Sequence, residues 1–127
     1  MDSKYNWDNK SILIADDDFL NFELLKLILR NTNVKIEHFT DGQAVVDHVD
    51  KDKTCDLIIM DIQMPILDGI EATIKIRELG VTTPIVALTA LNTISEKSKY
   101  EKYGFNEIVE KPVRKVMFLK MIERYLN

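Results

Sequence analysis

Four short apolar runs in this 127-residue chain end in residues able to do chemistry. Ile12-Leu13-Ile14-Ala15 runs into Asp16-Asp17-Asp18, and Leu57-Ile58-Ile59-Met60 runs into Asp61. Pro84 to Leu88 leads to Thr89, and the run around Ile108-Val109 leads to Lys111. If one fold brings these four ends to a common rim, several carboxylates lie close together and repel one another, the more so when buried. A divalent cation relieves that repulsion. The donors are all oxygen, which suits magnesium (or manganese), and no histidine or cysteine stands at the rim to favour zinc. A phosphoryl group at the same place gives each residue a task. A carboxylate can attack phosphorus to give an acyl phosphate, a lysine offers a point charge to one oxygen, and a hydroxyl donates to another. Phosphoryl transfer asks for positioning and electrostatics of this kind and little else.

Taken singly, each residue has a plainer explanation. An Asp after a strand is most often a helix N-cap or turn former, which suffices for Asp18 and Asp68. A threonine ending a strand is usually a turn residue, and a lysine before proline is usually solvated. Their joint placement on four strand ends is what points to a site.

The elements that must position them alternate along the chain. Strands are expected at Ile12–Ala15, Val34–Phe39, Leu57–Met60, Pro84–Leu88 and Glu107–Val109, the first and third of them buried and the second alternating. Leu57 to Met60 is apolar on both faces, as parallel sheets require. Helices are expected between and after them. The first, Phe19 to Leu29, is apolar enough to be buried over most of its surface, with Asp18 as N-cap and Asn31 and Asn33 at its exit. The second carries Ala44, Val45, Val46 and Val49 on one side, the third runs from about Ile70 to Leu79, and the fourth spans about Ser95 to Tyr103 and stops at Gly104. The last carries Val116, Met117, Leu119, Met121, Ile122 and Leu126. Strand and helix alternating five times predict an α/β fold, a doubly wound five-stranded parallel sheet with helices on both faces, in which ligands collect at the carboxyl ends of the strands.

With these residues in hand, four segments closely resemble the receiver domain of two-component response regulators. They are Ile12 to Asp18, Met60-Asp61-Ile62-Gln63-Met64-Pro65-Ile66-Leu67-Asp68-Gly69, Ala87-Leu88-Thr89-Ala90 and Val109-Glu110-Lys111-Pro112. The resemblance implies a flavodoxin-like (βα)5 fold over residues 11–127, preceded by a lead-in over residues 1–10. It implies Asp61 as phosphoacceptor, Asp17 as direct metal ligand, Asp16 holding a metal-bound water, and the backbone carbonyl of Gln63 as a further ligand. Thr89 and Lys111 would bind phosphoryl oxygens, and the Lys111–Pro112 peptide would be cis, aiming the lysine inward. The donor would be a phosphohistidine on a histidine kinase or histidine phosphotransfer protein, with a downstream output protein or domain as a further partner. The domain would assist its own phosphorylation and dephosphorylation without being an enzyme in the turnover sense. Its switch would work through Thr89, whose hydroxyl moves to the phosphoryl group. Two departures from the family involve three positions. Ile108 stands where an aromatic ring usually swings inward. Gln63 and Leu91 occupy the positions that tune water's access to the acyl phosphate. The Asn6-Trp7-Asp8-Asn9-Lys10 lead-in looks like the join before receiver domains in hybrid sensor kinases, and equally like a frayed terminus with Trp7 packing locally.

Composition narrows the remaining choices. A net charge of −4 without a dense basic stripe argues against nucleic-acid binding by this segment. No apolar run approaches the length of a membrane span. One cysteine, Cys55, cannot form an internal disulfide, which suits a reducing, cytoplasmic setting. The four glycines form neither a dinucleotide nor an NTP fingerprint. His38 and His48 lack ligand spacing and read as ordinary surface or half-buried residues, and Met60, Met64, Met117 and Met121 read as strand, loop and core fillers. The main rival is an enzyme. Asp16-x-Asp18 superficially resembles the opening motif of haloacid dehalogenase-type phosphatases, but the chain is short for that fold and the stretch from Asp61 to Gly69 would go unexplained. A receiver-like module that has lost phosphorylation is the other rival, and the presence of every site residue weighs against it.

Overall fold

The computed structural model describes residues 4–51, 55–90 and 97–127. Among the described residues ten elements alternate: β1 Ser11–Ala15, α1 Phe19–Leu29, β2 Lys35–Phe39, α2 Gly42–Lys51, β3 Leu57–Asp61, α3 Gly69–Glu78, β4 Ile85–Thr89, α4 Lys97–Tyr103, β5 Glu107–Glu110 and α5 Lys115–Leu126. The strands form one sheet in the order β2-β1-β3-β4-β5, every neighbouring pair parallel. This is the expected (βα)5 arrangement, and its strand order reverses between β1 and β3. The predicted start of α4 near Ser95, like Leu91, lies outside the described residues.

Strand periodicity divides the core. Ile12 and Ile14, Leu57 and Ile59, and Val86 and Leu88 face one side of the sheet, where α1 and α5 cover them with Phe22, Leu25, Phe118 and Ile122. Leu13, Ile58, Met60, Ile85 and Ala87 face the other, against Val45 and Val49 of α2, Ala72 and Ile76 of α3, and Tyr100 of α4. Apolar residues on both faces explain why these strands read as unbroken runs rather than alternating ones. On the second side the Arg77 guanidinium donates to the carbonyls of Gly104, Val81 and Thr83 and to Asn106 Oδ1, at 2.8–3.0 Å. One side chain so ties α3 to the loops that feed β4 and β5.

Two expectations need correction. Helix α1 is not buried over most of its surface. Phe22, Leu25, Ile28 and Leu29 face the core, while Phe19 and Leu20 are 66% and 77% exposed and Leu27 also faces solvent. A helix on the outside of a sheet has only one face to bury, so its surplus apolar residues point outward. In α5, likewise, Val116 and Met117 are exposed, so Met117 fills no core space.

Two described residues of the lead-in pack closely. Tyr5 and Trp7 are buried and stacked on each other, the Trp7 N–H donates to the Thr32 carbonyl, and its indole Nε1–H donates to Asn127 Oδ1 at 2.7 Å. These contacts bridge α1 and α5 at the end of β1 away from the acidic rim.

Candidate phosphoacceptor site

Register brings the chemistry together. Ala15 pairs with Met60, so Asp16 and Asp61 follow side by side at the strand-order reversal. Leu88 pairs with Asp61 and Thr89 with Glu110, which sets Thr89 and Lys111 on the same rim. The Lys111 N–H donates to the Thr89 carbonyl at 2.8 Å, and the Lys111–Pro112 peptide is cis, as the resemblance implies.

Each carboxylate has a distinct environment. Asp61 is 6% exposed, its Oδ1 accepting from the Gln63 N–H at 3.3 Å and its Oδ2 lying 3.3 Å from Lys111 Nζ. Asp16 is fully buried. Its Oδ1 accepts from the Asp18 N–H at 2.8 Å, and its Oδ2 accepts from the Asn21 side-chain amide and lies 3.8 Å from Lys111 Nζ. Asp17 is exposed, and carboxylate oxygens of Asp16, Asp17 and Asp61 lie within 4.8 Å of one another. Burial, then the charge of Asp16, push the Asp61 carboxyl up to about 6. Lys111 and the Gln63 N–H pull the other way without cancelling that rise.

These residues fit a hard divalent cation. Three carboxylates face one lysine, and the surplus negative charge is offered entirely by oxygen. Asp17, Asp61, Gln63, Met64, Thr89 and Lys111 line an open cleft. Thr89 itself is buried at the cleft's base.

The loop after Asp61 is shaped by its own sequence. The Leu67 N–H donates to the Pro65 carbonyl at 2.7 Å across Ile66, which sits at a φ of 70° and is 81% exposed. A β-branched residue in that region is strained. Asp68 caps α3 by accepting from the Glu71 N–H at 2.8 Å, and the Gly69 N–H donates to the Ile62 carbonyl, also at 2.8 Å. A Cβ on Gly69 would lie 2.2 Å from the Asp61 carbonyl oxygen, so only glycine permits this approach. Asp18 is the N-cap of α1, accepting from the Leu20 N–H at 3.0 Å and from the Asn21 N–H at 3.3 Å. The plainer explanation holds for both Asp18 and Asp68.

Two residues absent from the sequence-based site reach it. Asn21 holds Asp16 Oδ2, as given above, and His38 holds the Asp16 main-chain carbonyl. Asn21 lies in the first turn of α1, a placement visible in the sequence, whereas His38 reaches Asp16 only through the register of β2 on β1. His48 contacts Glu37 at 3.2 Å, away from the rim.

Residues 12–123 match the response regulator receiver domain family. A two-component response regulator of Arabidopsis thaliana is 32% identical over 112 residues, covering 88% of this chain and 81% of its own length. Among solved structures, the receiver domain of the sensor histidine kinase PA1611 from Pseudomonas aeruginosa, with magnesium coordinated in its active-site cleft, is 29% identical. It superposes with a TM-score of 0.80 over 92% of this chain and 97% of its own. The co-crystal of the Saccharomyces cerevisiae histidine phosphotransfer signalling protein Ypd1 with the receiver domain of its downstream response regulator Ssk1 matches with 30% identity and a TM-score of 0.84. That match covers 92% of this chain and 88% of the other. Sequence and geometry agree, and the chain belongs to the receiver domains of two-component signalling.

Proposed function

We propose that residues 11–127 accept a phosphoryl group on Asp61 from a phosphohistidine donor and change conformation in consequence. The supporting observation is a buried carboxylate at the base of an open cleft, touched by one lysine and crowded by two further carboxylates. In the reaction an Asp61 carboxylate oxygen bonds to phosphorus as the P–N bond to the donor imidazole breaks, and the imidazole departs. Lys111 balances charge on a transferring oxygen and Thr89 donates its hydroxyl to another. Asp16, Asp17, Asp61 and the Gln63 backbone carbonyl would hold magnesium or manganese, which when bound offsets carboxylate and phosphoryl charge. The magnesium in the PA1611 receiver and the Ypd1–Ssk1 pairing support the cation and the class of donor. A histidine kinase or phosphotransfer protein in the cytoplasm is the expected partner, with an output protein or domain downstream. The domain acts as a phosphorylated signal rather than as a turnover enzyme.

The relay from the rim departs from the family's pattern. Ile108 is half-buried beside the α2–α3–α4 core and has no ring to swing inward. A shift of Thr89 therefore acts on α4 without an aromatic intermediary.

Incubation with acetyl phosphate and magnesium, followed by intact mass measurement, tests the assignment. Wild type should gain a single phosphoryl adduct and Asp61→Asn none. An unmodified wild type, or a mutant modified to the same extent, would sink it.

A further inference from the structure

We infer that His38 is a positioning residue for the cation site, acting through Asp16. The inference rests on the proposed part of Asp16 in holding the cation. His38 lies on β2, half-buried, with Nε2 2.9 Å from the Asp16 main-chain oxygen. A carbonyl can only accept, so Nε2 carries the proton and donates. The imidazole is held flat against Phe22 of α1, with ring centroids 3.6 Å apart and planes 4° from parallel.

Strand pairing does not need this bond. The Asp16 N–H already donates to the Phe39 carbonyl at 2.9 Å and closes the β1–β2 ladder there. The histidine adds a second tether to the same residue, on the peptide that follows it. With the Asp18 N–H on Oδ1 and the Asn21 amide on Oδ2, it leaves Asp16 held at its backbone and at both carboxylate oxygens. A carboxylate fixed beforehand loses little further freedom when a cation is bound, so the tether appears as affinity. Phe22 and Asn21 are neighbours on α1, so the entry of that helix both sets the histidine plane and grips the carboxylate.

Crossed variants separate the donated bond from the stacking. His38→Phe keeps a ring against Phe22 and deletes the N–H. His38→Gln keeps an N–H at similar reach and deletes the ring. Magnesium affinity is read by isothermal titration calorimetry on the whole chain, with thermal midpoints measured in chelator. His38→Phe should weaken magnesium binding about three- to tenfold, the worth of one hydrogen bond, with a midpoint within about 3 °C of wild type. His38→Gln should stay within about twofold. Wild-type affinity in His38→Phe, or an equal loss in both variants, would overturn the inference. His38→Leu repeats the deletion should His38→Phe fail to fold, and the same criterion applies to it. Asp16→Asn distinguishes the levels. If it binds magnesium like wild type, the cation role of Asp16 fails. If it binds weakly while His38→Phe does not, only the role of His38 falls.

Discussion

As the proposed phosphoacceptor, Asp61 has conflicting requirements, since that role asks it to be buried enough to be shielded and charged enough to attack. Its carboxyl, pushed up to about 6 from an ordinary 3.8, records the cost of burial beside Asp16. The folded state therefore binds this proton more tightly than the unfolded chain. Stability in the absence of divalent cations should fall as pH rises from about 4 to about 6 and stay reduced above that. Asp61→Asn removes the charge. It should be more stable than wild type at neutral pH in chelator by about 1–3 kcal/mol, with the difference shrinking towards pH ~4. Urea unfolding at the two pH values measures this. A mutant no more stable than wild type at neutral pH would show that the carboxylate is not under electrostatic load.

At the scale of elements, the site depends on how α3 departs from the end of β3. Gly69 lies against the backbone of Asp61 and Ile62, where a Cβ would come within 2.2 Å of the Asp61 carbonyl oxygen. Both contacts are main chain and cannot swing aside. Gly69→Ala should cost about 2–4 kcal/mol and slow phosphorylation of whatever folds, because relief of the clash moves Asp61. Thermal unfolding with a parallel phosphorylation time course checks both, and a variant normal in each would contradict the account. This dependence was partly legible in sequence. The Met64-Pro65-x-x-Asp68-Gly69 stretch marked the loop, and the apolar runs marked four strand ends, because buried parallel strands leave an unambiguous pattern. The exposed face of α1 was not legible, since apolar density alone does not say how many sides of a helix find a partner. Nor was His38, whose role comes from the register of β2 on β1, a non-local fact.

In the whole molecule, the sheet separates reception from what lies below it. Asp16, Asp61, Thr89 and Lys111 share one rim, while Tyr5 and Trp7 bind α1 to α5 at the opposite end of β1. Thr89 lies on β4, next to the edge strand β5, so its movement should be felt first in that half of the sheet. Phosphorylated wild type should show amide resonance changes spreading through β4, α4 and β5. Thr89→Ala should accept the phosphoryl group with changes confined to the rim, and an equal spread in the mutant would remove Thr89 from the relay. Everything downstream presupposes that the acyl phosphate forms at one carboxylate, and chemical trapping tests that most directly. Borohydride reduces an acyl phosphate on aspartate to homoserine, which peptide mass mapping then locates. After treatment with a phosphoryl donor and magnesium, the homoserine should lie at position 61 and be absent in chelator. Trapping at another residue, or none on a protein that still carries phosphate, would contradict the account.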